Sequence, residues 1–278
     1  MNSRLGLSLP SFRSDPAPVL AVAAAAEAAG VDGVFAFDHL FRQRGDAAGA
    51  AEPRPALELT TTLAAVAAET ERITVGSLVA RATLRPAATL AAALDTVSRI
   101  APGRLVAGLG SGDEESDPEN EAFGVQTADR LARLEEAVER IVGRGYPVWV
   151  GGWAPAVRRL AAVRADGWNG WGGTVDGFAR RVAEGAEAAE RAGRPPAAVE
   201  CTWGGLAVLG ADEAEAKAKL ERLGGDRPGL VWGGPERVAE TLAGYGGAGA
   251  AWVIIGPLDS ANPDNAAVLG EAVRPLLR

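Results

Sequence analysis

Short apolar runs of strand length alternate with longer helical patterns from one end of the chain to the other. That alternation is the signature of repeated βα units around a parallel sheet. Eight strands are predicted, at Leu5–Leu9, Gly33–Phe37, Ile73–Val79, Leu105–Leu109, Val148–Gly151, Gly167–Trp171, Val199–Leu209 and Trp252–Ile255. An open dinucleotide-binding sheet usually needs about six strands, whereas a closed (β/α)8 barrel of the TIM type uses eight and takes about 250 residues as one unit. With 278 residues and no linker-like shift in composition, the expectation is an α/β protein with one barrel domain over 1–278.

Helix signals fit between the strands. Val19 to Ala29 is entered through Asp15-Pro16 and closed by Gly30, which uses proline's preset φ at the start and glycine's left-handed freedom at the end. Leu131, Leu134, Val138 and Ile141 recur at three- and four-residue spacing and so share a helix face. The same pattern returns at Val238 and Leu242, and again at Val268, Leu269, Val273 and Leu276. The one long stretch read as irregular is Gly110 to Thr127, and loops of that length are commonly functional or disordered.

Composition removes several classes of function. A net charge of -8 without a basic run argues against nucleic acid, whose phosphates need clustered cations. One cysteine and one histidine are too few for a zinc site of His/Cys type or for an internal disulfide; a magnesium site of carboxylates alone stays open, but no ligand spacing supports one and no metal is expected. No stretch reaches the roughly 18 apolar residues of a membrane span, so a cytoplasmic protein is expected.

In such a barrel chemistry belongs at the carboxyl ends of the strands. The run GVFAFDHL delivers Asp38 and His39 there, and the only imidazole in the chain can move a proton near neutral pH. The plain alternative is a rim histidine bonded to a carbonyl. The fourth strand leads into GLGSGDEESDPE, whose glycines permit close approach of backbone and whose Ser111, Asp113 and Glu114 are polar; its alternative is a solvated acidic loop. PVWVGGWAPAVRRLAA passes from a strand through Gly151-Gly152 straight into a helix, so free N–H groups and the positive helix end make an anion site plausible, unless the glycines merely form a tight turn.

Taken together these segments resemble the bacterial luciferase-like family of flavin and deazaflavin oxidoreductases, over about Leu5 to Leu276. The resemblance is carried by FDHL after the second strand, ERITVGSLVARATLRPAATLAAALDTVSRIAPGRLVAGLGSGD through the third and fourth, PVWVGGWAPAVRRLAAVRADGWNGW through the fifth and sixth, and GGPERVAETL before the eighth. It implies a barrel, commonly dimeric, that binds FMN or the deazaflavin coenzyme F420. His39 would stand near the reactive ring edge as the proton-transfer residue, with Asp38 or Asp113 orienting it. Ser111, Gly112 and Asp113 would border the ring or substrate, and Gly151, Gly152, Trp153 and Ala154 would hold the cofactor phosphate. Leu78 and Val79 fall where the family often has a non-prolyl cis peptide supporting the ring. Gln43 and Asp113 stand where some deazaflavin dehydrogenases carry tryptophan and glutamate, a departure from the sugar-phosphate enzymes. Leu209 to Gly233 is short for a family that often inserts a lid there, which predicts an open mouth. The function expected is an F420-dependent oxidoreductase, a homodimer acting on a small organic molecule. An FMN monooxygenase and a noncatalytic cofactor-binding barrel are the alternatives.

Overall fold

The computed structural model describes residues 3–42, 54–112 and 116–277. Among them, eight parallel strands close into a single-domain barrel: β1 (Arg4–Ser8), β2 (Gly33–Ala36), β5 (Thr74–Arg81), β6 (Leu105–Gly110), β7 (Val148–Gly151), β8 (Gly167–Trp171), β9 (Glu200–Leu209) and β11 (Trp252–Pro257). Each pairs with its neighbour in that order, and β11 returns to β1 to close the ring. All eight predicted strands are present, with ends moved by a residue or two.

Four elements were not foreseen. A ribbon of β3 (Phe41–Arg42) and β4 (Arg54–Pro55) sits after β2, and β10 (Val231–Gly233) pairs only with the last residues of the ten-residue β9. Strands of two or three residues are too short to display a period. The stretch read as irregular contains α4 (Asp117–Ala122).

Helices α1 (Ala17–Ala28), α2 (Leu59–Glu69), α3 (Ala87–Ile100), α5 (Arg130–Ile141), α6 (Pro155–Arg164), α7 (Val175–Arg191), α8 (Glu213–Arg222) and α9 (Pro235–Gly247) lie in the connections. Their stripes at i, i+3 and i+4 face the strands, as with Leu90, Leu94 and Val97 of α3 or Leu134, Val138 and Ile141 of α5; Leu131, in the first turn of α5, stays exposed. The chain ends on α10 (Asp264–Ala267) followed by a π turn and a 3₁₀ turn rather than one regular helix. No helix among the described residues is long and apolar enough to cross a membrane.

Inside the barrel the filling is aromatic. Phe35, Trp149 and Trp252 meet with ring centroids 5.5–5.8 Å apart, joined by Val106 and Ile254. Glycines on the facing strands make the room. A Cβ at Gly33 would come 2.8 Å from the Trp252 ring, and one at Gly76 would come 2.7 Å from Phe35. Removing such a ring from a core costs about 3–5 kcal/mol. This filling occupies the middle of the barrel, below the carboxyl ends of the strands.

Candidate active site

β2 ends at Ala36, and the chain beyond it carries Phe37, Asp38 and His39 over the rim. Asp38 and His39 go separate ways. Asp38 is buried; its carboxylate accepts from both terminal nitrogens of Arg85, at 2.6 and 3.0 Å, and from the Arg81 N–H at 2.8 Å. Arg85 also reaches Glu58, the N-cap of α2, so Asp38 fastens the tops of β2, β5 and α2 together. The expectation that Asp38 orients His39 is corrected by this pairing, because its oxygens are committed elsewhere.

His39 is held instead by Glu119. Its Nδ1 lies 2.5 Å from Glu119 Oε1, while Oε2 accepts from the Leu40 N–H at 2.7 Å and from Arg81 at 2.8 Å. Burial raises the Glu119 carboxyl, but the hydrogen bonds from His39 and Leu40 and the charges of His39 and Arg81 outweigh it and hold the pKa below its ordinary value. An ionised carboxylate accepts only, so the ring nitrogen facing it, Nδ1, carries a proton and Nε2 is the nitrogen turned away from Glu119. Phe12 and Phe37 fix the ring from the side, with centroids 5.2 and 5.5 Å from it. Glu119 and Arg81 were missed in the sequence. The signal available was Asp117-Pro118, an acidic helix start that marks α4 and makes Glu119 part of a folded element.

Asp113, like Gln43 and Glu114, lies outside the described residues. Ser111 and Gly112 leave β6 beside Arg81: Gly112 has φ +74°, and a Cβ there would touch the Arg81 stem at 3.4 Å. The Ser111 hydroxyl donates to the Gly112 carbonyl.

The Leu78–Val79 peptide is cis, and the register of β5 on β6 shifts between Ser77 and Ala80. Val79 then occupies a nest of three glycines. A Cβ at Gly151 would stand 2.6 Å from its Cγ1, one at Gly110 would overlap its Cγ2, and one at Gly108 would stand 3.3 Å from Cγ1. Gly108, Gly110 and Gly151 thus make room for a neighbouring side chain.

At the next turn Gly152 takes φ +140° and its carbonyl accepts from Trp168 Nε1 at 2.9 Å. α6 starts immediately, with Ala154 as N-cap, Pro155 at its first position and no capping side chain. Its free first-turn N–H groups and positive end suit an anion. Trp153 contributes backbone here, because its indole N–H donates to the Trp171 carbonyl at 2.7 Å and its ring packs under Arg181 and against Trp168.

Comparison with known proteins bears on the family and the fold. The chain matches the luciferase-like monooxygenase family over residues 3–144 and 140–251. It is 29% identical over 191 residues to an F420-dependent glucose-6-phosphate dehydrogenase of Nakamurella multipartita, covering 59% of this chain and 55% of that protein. A protein of the same description from Beutenbergia cavernae is 33% identical over 151 residues, covering 53% and 41%. The chain thus spans about half the length of the curated relatives it matches. Among solved structures, an F420-dependent secondary alcohol dehydrogenase in complex with an F420–acetone adduct superposes over the whole of both chains, with a TM-score of 0.81 at 15% identity, a likeness of fold.

Proposed function

The chain belongs to the luciferase-like monooxygenase family, and from that premise we propose that it is an F420-dependent oxidoreductase that moves a hydride between the deazaflavin and a small organic substrate. The observation that carries this reading is the His39–Glu119 pair, which orients an imidazole through Nδ1 at the carboxyl end of the barrel. The F420 dependence of both curated relatives supports the choice of cofactor.

The residues fit such a cofactor. The uncapped start of α6 after Gly151 and Gly152 offers neutral backbone donors to a phosphate. Leu78 and Val79, with Val79 seated among its glycines, offer a firm apolar rest for a planar ring, bordered by Ser111 and Gly112. When bound, a deazaflavin supplies a carbon centre that exchanges a hydride and, unlike flavin nitrogen, does not favour oxygen activation.

The chain's own work is proton movement and positioning. His39 Nε2 accepts the proton of a substrate hydroxyl during oxidation, or returns it to the carbonyl oxygen during reduction. Glu119, across the ring, stabilises the imidazolium that forms, and Arg81 with the Leu40 N–H keeps that carboxylate ionised and in place. Phe12 and Phe37 hold the ring against rotation. The same reading makes the protein a cytoplasmic homodimer.

Side-by-side titration of the purified protein with F420 and FMN tests the proposal. Micromolar F420 binding with weaker FMN binding is expected. FMN binding without F420 binding would overturn the cofactor choice.

A further inference from the structure

Two large apolar side chains stand exposed where a substrate would enter. Trp171 ends β8 and is 38% exposed; Leu206 of β9 is 38% exposed as well. The other exposed large hydrophobics among the described residues, Ile100, Phe123, Leu131 and Leu276, lie off the barrel strands. A lone exposed leucine is ordinary, but a pair inside a concave mouth is a feature of binding sites.

The pair is built as one surface. The Trp171 ring lies over two glycines: a Cβ at Gly204 of β9 would come 2.5 Å from its Cε3, and one at Gly256 of β11 would come 3.1 Å from its Cη2. Leu206 is two residues beyond Gly204 and so on the same face of β9, with its Cδ2 3.6 Å from the same Gly256 position. In the ring of strands β8 is fourth from β2, so this surface faces the wall of Phe12, Phe37 and His39 across the mouth.

Among the described residues, no charged side chain stands at the inward positions of β7, β8, β9 and β11 at this level. Those positions are Gly151, Trp171, Leu206 and Gly256. Arg81 and Arg85 are engaged by Glu119, Asp38 and Glu58, and the exposed Arg42 is drawn over the Phe12 ring at 5.6 Å. A phosphate dianion placed on the Trp171–Leu206 side would lose hydration without gaining a cation from these positions.

We propose that the substrate is an uncharged molecule whose non-reacting part is an apolar or aromatic group, and that Trp171 and Leu206 form the platform that receives it. The proposal rests on the hydride-transfer reading above and adds what that reading leaves open. A molecule with its reacting carbon beside His39 extends across the mouth to the indole, and a sugar phosphate does not suit the same walls.

Calorimetric titration of the F420-loaded protein with acetophenone, and with glucose 6-phosphate as competitor, tests it. Acetophenone should bind, and Trp171→Ala and Leu206→Asp should each weaken it by about tenfold or more, the scale expected when most of one apolar contact is removed. Trp171→Phe should restore most of the affinity, and F420 affinity should change little in any variant. Unaltered acetophenone affinity in both variants, no acetophenone binding at all, or displacement of acetophenone by glucose 6-phosphate would each overturn the proposal. The titrations are repeated without cofactor and with FMN. A platform that persists when F420 fails to bind would separate failure of the cofactor reading from failure of this one.

Discussion

Replacing Glu119 by glutamine keeps the shape of the side chain and changes which atoms can accept. The carboxylate now receives three donors, from His39, Leu40 and Arg81. A glutamine offers one oxygen to these donors and turns an NH2 toward the rest. Two consequences follow. The Arg81 side chain, only 4% exposed, loses its counter-charge; breaking a buried pair in this way costs about 3–5 kcal/mol. At about 1.7 °C per kcal/mol for a chain of this length, the melting temperature should fall by about 5–10 °C. The imidazole is also released from its tautomer, because an amide NH2 facing Nδ1 pushes the proton to Nε2. Loss of a general base lowers kcat by about 100-fold or more, while KM for substrate and Kd for the cofactor should stay nearly constant. As His39 is the one histidine in the chain, isotope-edited NMR of the imidazole nitrogens reads the tautomer directly. The parent should show Nδ1–H and the variant an increased share of Nε2–H, with Glu119→Asp recovering part of both kcat and the parent spectrum. A parent ring already protonated on Nε2, or a Glu119→Gln enzyme with parental kcat, would refute this account of Glu119.

Four further outcomes are expected. His39→Ala should lower kcat by about 100-fold or more with little change in cofactor affinity; a loss explained wholly by cofactor release would remove it from proton transfer. Gly152→Asp should weaken cofactor binding well beyond Gly152→Ala, because both strain the φ of +140° but only the aspartate brings charge to the start of α6; equal affinities measured by titration would place the phosphate elsewhere. Burial raises the Glu58 carboxyl, but hydrogen bonds from Thr61 and Arg85 and the Arg85 charge bring it down from 4.5 to about 2. Its stabilising share is therefore complete above its unfolded value and lost as pH falls toward 2, and Glu58→Gln should flatten acid unfolding curves in that window. Burial, with the Glu200 charge, pushes the Cys201 thiol up to about 11, so iodoacetamide at about pH 8 should modify it slowly until denaturant opens the fold.

The strands were legible because each places several apolar residues in a run bounded by turn residues, and ring closure followed from their number. His39 was legible because a lone imidazole at a strand's carboxyl end is chemically conspicuous. Its partner was not. Glu119 lies 80 residues away and joins the site only because α4 folds back over β2 and β5. The Asp38–Arg85 pair was hidden in the same way, since adjacency in sequence suggested a contact with His39 that the backbone turns aside. Trp171 was visible as the end of a strand, but its exposure depends on Gly204 and Gly256, glycines on two other strands whose meaning exists only in three dimensions.

The nest around Val79 has a consequence for how this protein can vary by descent. Gly110 and Gly151 leave no room for a methyl group while the valine is present, and Gly108 also faces the Ser77 backbone. A lineage that gains a side chain at Gly110 or Gly151 must first shorten residue 79. These positions, spread over three strands, should drift together or not at all, and Val79→Ala should turn Gly110→Ala from a damaging change into a tolerated one.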